Sequence, residues 1–300
     1  MDRRTFAILC HLLRNVAGLS STEIVDVEEM VAMFLHVLAH DVKNRIIQRE
    51  FVRSDETVSR HFNIVLLAVL RLYEELIMRP VPVTNNCNDQ RWKCFENCLD
   101  ALDRMYIKVN VPARDRPTFR TRKGEISTNV LGVCDTKGDF VYVLAGWEGS
   151  AADSRILRDA LSGENGLQVP KGVSRPVQRP TVPFAKVAWC CKCVNKCKAV
   201  LQHERVFGVL KGRWAILRGK LYYPLQVQGR TILACALLHN LINSEMTYCE
   251  DVDDVDEGDS TYATTTASED IHYIETTNEW SQWRDELVES MFTDWQLHNA

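Results

Sequence analysis

The sequence predicts an α/β domain preceded by an all-α, helix-turn-helix-like unit. Three observations carry that expectation. Apolar residues recur at helical spacing through the first eighty positions, a Pro- and Asn-rich stretch interrupts them, and the pattern beyond it alternates as half-buried strands do before helical spacing returns. At 300 residues the chain exceeds the usual size of one domain, which favours two units or one with appendages.

The elements follow in order. From Val27 to Leu38 the apolar positions fit one helix, with Asp26 as N-cap and Glu29 as its capping-box partner. Val42 to Phe51 forms a short helix, Val52-Arg53 breaks it, and Ser54 opens a longer helix running to Leu76. Short helix, tight turn and a second helix begun by small polar residues suit a helix-turn-helix, in which Thr57, Ser59 and Arg60 would contact DNA. Helical bundles that never touch DNA share the pattern, and that reading stands beside it. Pro80-Val81-Pro82-Val83-Thr84-Asn85-Asn86 reads as a linker. The expected division is therefore 1–80 helical, 81–99 linker, 100–248 α/β, and 249–300 tail.

Within the α/β unit, Met105 to Val111 alternates as a strand, and Asn129 to Cys134 and Asp139 to Leu144 flank the turn residues Asp135-Thr136-Lys137-Gly138 as a hairpin. Ser150 is expected to cap a helix through Leu161 that Gly163 stops. Lys198 to Arg218 is helical again, and Thr231 to Ile242 is apolar nearly all round, as a buried helix is. Beyond Tyr248 the composition predicts an acidic, disordered segment and then a Trp-rich terminal helix.

Hydrophobic residues at 46% and charged residues at 25% exclude a fibrous or wholly disordered chain. No apolar run is long enough for a bilayer, and Met1-Asp2-Arg3-Arg4 does not begin a cleavable signal, so a soluble intracellular protein with no membrane partner is expected. Its eleven cysteines, an odd number scattered through regular segments, are expected as thiols. The net charge of −4 conceals an asymmetry. Lys171 to Lys220 carries twelve Lys or Arg against the single acid Glu204, whereas Glu250 to Asp294 carries fifteen acids against Arg284. The basic stretch can track a phosphate backbone or form a solvated face; the acidic one can solubilise or compete for that basic face.

Three carboxylates suggest chemistry. Asp103 precedes the first expected strand, Asp153 lies in a first helical turn, and Glu204 sits alone among bases. Converging carboxylates can hold two divalent cations that stabilise the attacking and leaving oxygens of a phosphodiester. Each also has a plain explanation: a turn residue, a Ser-x-x-Asp cap from Ser150, and a helix-surface charge.

Ala101-Leu102-Asp103, Arg120 to Cys134, Gly146 to Arg155, Glu204 to Arg218 and Leu237-Leu238-His239-Asn240-Leu241-Ile242 together resemble the plant branch of the Harbinger transposase-derived nucleases, DDE superfamily endonucleases. Thr5 to Leu76 and Trp280 to Trp295 extend the resemblance to most of the chain. It implies an RNase H-like mixed sheet flanked by helices, and a Mg²⁺ or Mn²⁺ site with catalytic Asp103 and Glu204 and metal ligands Asp103, Asp153 and Glu204. It further implies DNA as substrate, a nuclear location, a companion Myb-like DNA-binding protein and room for a homo-oligomer. Arg120, Arg122, Lys123, Arg213 and Arg218 become candidate phosphate contacts, although their stems could equally be structural. His239 falls in the family's Leu-His-Asn motif, for which a buried, hydrogen-bonded histidine is an equal explanation.

Two departures point to impaired cleavage. The family follows Val-Pro-x-Gly, here Val169-Pro170-Lys171-Gly172, with a strand bearing the second catalytic aspartate, yet the thirty-one residues between Gly172 and Glu204 contain no Asp or Glu. A central strand is expected to be lost with it. Arg104 follows Asp103 where the family has glycine, and is expected to compete with a cation for the Asp103 carboxylate. In the divergent segment Cys190, Cys193 and Cys197 have part of a zinc-site spacing, but no second CxxC or paired histidines accompany them. A catalytically inactive DNA-binding or chromatin-interaction module is the alternative to a nuclease.

Overall fold

Helix formation in the N-terminal part follows its caps. In this computed structural model, which describes residues 1–78, 101–135, 137–162, 166–167, 198–220 and 222–246, Asp2 accepts from the Thr5 N–H at 2.7 Å and opens α1 (Arg3–Asn15). Asp26 does the same at the Glu29 N–H for α2 (Val27–His40). Glu29 does not reach back to close a capping box. Its carboxylate instead receives two bonds from the Arg53 guanidinium, at 2.6 and 2.9 Å, an ion pair worth more than one neutral hydrogen bond.

Next comes α3 (Asn44–Phe51), joined to α4 (Asp55–Arg71) by Val52, Arg53 and Ser54. Val52 has φ 52°, in the left-handed region that a β-branched residue rarely enters. The long helix anticipated to Leu76 is interrupted at Leu72 and resumes as α5 (Tyr73–Leu76).

Three antiparallel strands make one sheet in the order β1 (Ala101–Lys108), β2 (Ser127–Cys134), β3 (Phe140–Glu148), with the short α6 (Arg116–Phe119) between the first two. The hairpin stands where the turn residues put it. β1 begins earlier than its alternation suggested, so Asp103 lies within the strand, opposite Gly132. After β3, α7 (Asp153–Ser162) starts two residues later than a Ser150 cap anticipates; the Ser150 N–H bonds the Thr118 carbonyl. Helix α8 (Lys198–Arg213) ends before a 3₁₀ turn at Ala215–Leu217, and α9 (Leu225–Glu245) completes the described chain. The linker, the cysteine-rich stretch, Arg175 to Lys196 and the acidic and Trp-rich tail lie outside the described residues.

Strand alternation gives the sheet two faces. Met105, Ile107 and Val130 join Val206, Phe207 and Leu210 of α8 and the apolar residues of α9 in the main core. Leu131, Val133 and Tyr142 pack on the other face against Ile156, Leu157 and Ala160 of α7. The main core is continuous with Leu13, Phe34, Ile47, Val65 and Leu66 of the N-terminal helices, because α9 packs against both. Among the described residues this is a mixed helical and three-stranded architecture with helices on both sheet faces. None of the described helices is long and apolar enough to cross a membrane.

Gly132 permits the closest approach in this packing. A Cβ there would stand 2.5 Å from the Phe207 ring and 3.0 Å from Phe140. Gly132→Ala should therefore force α8 away from the sheet and cost about 1–3 kcal/mol. Urea unfolding of the two proteins measures this, and equal stabilities would show that α8 does not seat on β2 as described.

Candidate functional site

The anticipated metal ligands distribute over the sheet by register. Asp103 shares its face with Met105 and Ile107, the side on which α8 packs, and its carboxylate accepts from the Arg104 N–H at 2.7 Å. Glu204 lies in α8, one turn before Phe207, whose ring approaches Gly132 across from Asp103. Backbone geometry thus sends Asp103 and the turn of α8 bearing Glu204 toward one side; the Glu204 side chain lies outside the described residues.

Asp153, the first residue of α7, belongs to the other side. Its carboxylate receives the Arg104 guanidinium in a half-buried ion pair, and the same guanidinium donates to the Tyr106 hydroxyl at 3.2 Å and lies 5.5 Å from that ring's centre. The sequence expectation that Arg104 would compete at Asp103 is corrected here. Consecutive strand residues point to opposite faces, so Arg104 neutralises Asp153 instead. Asp103 and Asp153 thus belong to opposite sides of the sheet. Among the described residues no group of three His, Cys, Asp or Glu side chains is placed to hold a cation, and Asp103 and Asp153, on opposite sides with Asp153 held by Arg104, do not together fit the divalent pair that the resemblance implies.

Cations collect near the exposed end of β1. Lys108 pairs with Glu125 at 2.9 Å, and Lys211 of α8 approaches the Tyr106 carbonyl at 3.4 Å. Burial, then the neighbouring Lys108 charge, pulls the Lys211 ammonium below its ordinary range. Arg120 donates to the Gly124 carbonyl at 3.3 Å across a turn where Gly124 has φ 85°, and this turn displays Arg122 and Lys123 to solvent. Arg218 is exposed after the 3₁₀ turn. Sequence reasoning missed Lys108 and Lys211, because strand and helix patterns each gave them an ordinary surface role.

Arg213 is placed differently from the other candidate phosphate contacts. It donates to His239 Nδ1 at 3.0 Å and to Asn243 Oδ1 at 2.7 Å, and Asn243 donates to Asp139 at 2.9 Å. Since arginine only donates, Nδ1 must accept and Nε2 must carry the proton, which it gives to the Gly138 carbonyl at 3.2 Å. His239 is buried and structural, tying α9 to the β2–β3 turn. Asn240 and Asn243, polar residues at the end of the apolar run from Ile232 to Leu238, were the available signal for this network.

At the start of α4, the Thr57 hydroxyl meets Ser54 Oγ at 2.8 Å, and Ser59 Oγ accepts from Asn44 of α3 at 2.9 Å. These bonds brace the α3–α4 corner. Arg60 alone of the three anticipated contacts is exposed, and Asp55 and Glu56 put negative charge into the same turn.

Comparison with known families matches residues 1–71 to a domain of unknown function, DUF8040, and residues 102–172 to the DDE superfamily endonuclease family. The second match stops where the sequence ceases to supply acidic residues. The protein named ALP1-like of Arabidopsis thaliana is 23% identical over 286 residues, covering 81% of this chain and 68% of that protein. HARBI1, named as a nuclease, is 25% identical in Bos taurus and 24% in Homo sapiens over 163 residues. Each of these alignments covers 48% of this chain, which spans 45% of the length of either HARBI1. No solved structure matches the chain.

The buried histidine carries a pH signature. Burial first, then the adjacent Arg213 charge, pushes His239 down to about 3. Its folded value lies below its unfolded one of about 6.5, so its contribution to stability is complete above pH 6.5. Between about pH 6.5 and 3 that contribution falls by about 1.4 kcal/mol per pH unit. Urea unfolding at pH 6.5 and 5 should show a loss of about 2 kcal/mol from this group that is missing in His239→Gln. The same pH slope in both proteins would remove His239 as its source.

Proposed function

We propose, from the premise that this chain carries a DDE superfamily endonuclease domain and is homologous to the Harbinger-derived ALP1-like and HARBI1 nucleases, that it is a transposase-derived DNA-binding protein whose metal-dependent cleavage is impaired. One observation carries this reading: the Arg104 guanidinium occupies the Asp153 carboxylate, so a fixed cation stands where the resemblance implies a metal ligand. The acid-free interval before Glu204 supports it from the sequence side.

The DNA-binding half of the reading rests on charge. Arg122 and Lys123 on an exposed turn, with Lys108, Lys211 and Arg120 nearby in the fold, supply a surface that can displace counterions from a phosphate backbone. This interaction needs positive charge and access but no metal. A nuclear location and action beside a Myb-like DNA-binding partner complete the proposal. The nuclease reading stands second, favoured by Asp103 and the Glu204 turn of α8 lying toward one sheet face; it requires Mg²⁺ or Mn²⁺ held by residues other than Asp153.

Two measurements on the full chain separate the readings. DNA affinity should fall steeply with salt, and Arg122→Ala with Lys123→Ala should lower the slope of log K against log salt by about two. Incubation of supercoiled DNA with Mn²⁺ should give no more nicking than Glu204→Gln does. Salt-independent affinity would sink the binding proposal, and nicking abolished by Glu204→Gln would establish the nuclease instead.

A further inference from the structure

A cavity of about 450 Å³ opens where the loop before α2 meets the α3–α4 corner. Its floor includes His61, which is 1% exposed and whose two ring nitrogens have no hydrogen-bond partner. An imidazole buried without partners is costly, and such groups in a folded protein call for a missing partner. Burial, then the Arg60 charge, holds His61 below its ordinary range, so the ring is neutral and offers one donor and one acceptor.

The remaining walls, which include the hydroxyls of Thr22, Ser54 and Thr57 and the exposed Glu23 carboxylate, define what would fit. Arg60 lines the opening and makes no side-chain hydrogen bond or ion pair among the described residues. The Arg53 guanidinium, also in the wall, is aligned by Glu29 and the Ile24 carbonyl. The lips are aliphatic: Ile24 is 74% and Val52 84% exposed. Val52 is held there in a left-handed conformation that its branched side chain disfavours, a form of strain that clusters at ligand sites.

We propose that this cavity binds a carboxylate carried on an apolar body. The guanidinium fork of Arg60 matches a carboxylate in plane, an N–H of His61 completes the head-group contacts, and the apolar body covers Ile24 and Val52. A phosphate dianion fits less well, because Asp55 and Glu56 crowd the same helical turn and an inorganic ion leaves both aliphatic lips in water. The carboxylate can come from a free aliphatic acid or from an acidic residue flanked by aliphatic ones in a peptide. The site shares Thr57 and Arg60 with the helix-turn-helix expectation, and no residue with the metal reading or with the basic turn at Arg122 and Lys123.

The test uses the full chain and hexanoate, followed through the His61 imidazole resonances, with hexanamide and inorganic phosphate as the neutral and apolar-free comparisons. Hexanoate should bind in the millimolar range and at least about tenfold more tightly than either. Arg60→Ala, whose side chain lies on the surface, should weaken hexanoate by a similar factor with an unchanged melting temperature. A capped leucyl-glutamyl-leucine peptide that binds more tightly than hexanoate identifies a peptide source, and weaker binding identifies a free acid. Hexanoate binding equal to that of hexanamide, unaltered by Arg60→Ala, or absent at every concentration tested would overturn the proposal.

Discussion

The fold turns on how one polar side chain is satisfied inside an apolar helix. Asn240 of α9 accepts from the Phe140 N–H at 2.8 Å, and donates to the Phe140 carbonyl at 2.7 Å and to the Leu76 carbonyl at 2.9 Å. Those three bonds join the start of β3, the end of α5 and the centre of α9. A buried carboxamide left without them would carry a desolvation cost of about 1–3 kcal/mol, so the helix can sit in only one axial position. The apolar surface around it then supplies the bulk of the stabilisation without specifying register. The N-terminal helices and the sheet thus share one core.

With α9 fixed, the sheet's alternation determines which functional groups can meet. Asp103 and Arg104 are neighbours in sequence and lie on opposite faces in space. One residue of displacement along β1 is the difference between a carboxylate that faces α8 and a guanidinium that reaches α7. The Arg104–Asp153 pair is half-buried, and Tyr106 further fixes the guanidinium from its ring side. Replacing it with a metal would require the cation to displace a tethered charge already aligned with the carboxylate.

Much of this was legible in the sequence. Asp26 and Ser54 announced helices, Asp135 to Gly138 announced the hairpin, and the run from Thr231 to Ile242 announced burial on all sides. The resemblance to Harbinger-derived nucleases pointed to the family over residues 102–172. What escaped was set by tertiary partners that no local pattern encodes. Glu29 had the right spacing for a capping box, but Arg53, twenty-four residues away, binds its carboxylate more strongly than a backbone N–H can. Ser150 had the right spacing to cap α7, but its N–H is held by Thr118 and the helix starts after it. Arg104 was read as adjacent to Asp103 because sequence distance was used where strand geometry governs. Arg213 was grouped with exposed cations because nothing local reveals His239 and Asn243 waiting on α9.

Binding and cleavage depend on a scaffold of this kind with different tolerance. Phosphodiester cleavage requires its ligands within fractions of an ångström, so one misplaced carboxylate or one neutralising arginine removes it. Phosphate-backbone binding depends on how many cations reach the surface, and each contributes through counterion release almost regardless of its neighbours' exact geometry. On the proposed reading, the acid-free interval before Glu204 and the Arg104–Asp153 pair weigh against catalysis, while Arg120, Arg122 and Lys123 stand on a separate turn and can still serve binding. Pairing with Arg104 also offsets the negative charge of Asp153. On that proposal the arginine that would oppose a cation at Asp153 would also favour an anionic partner, and the two effects act in one direction.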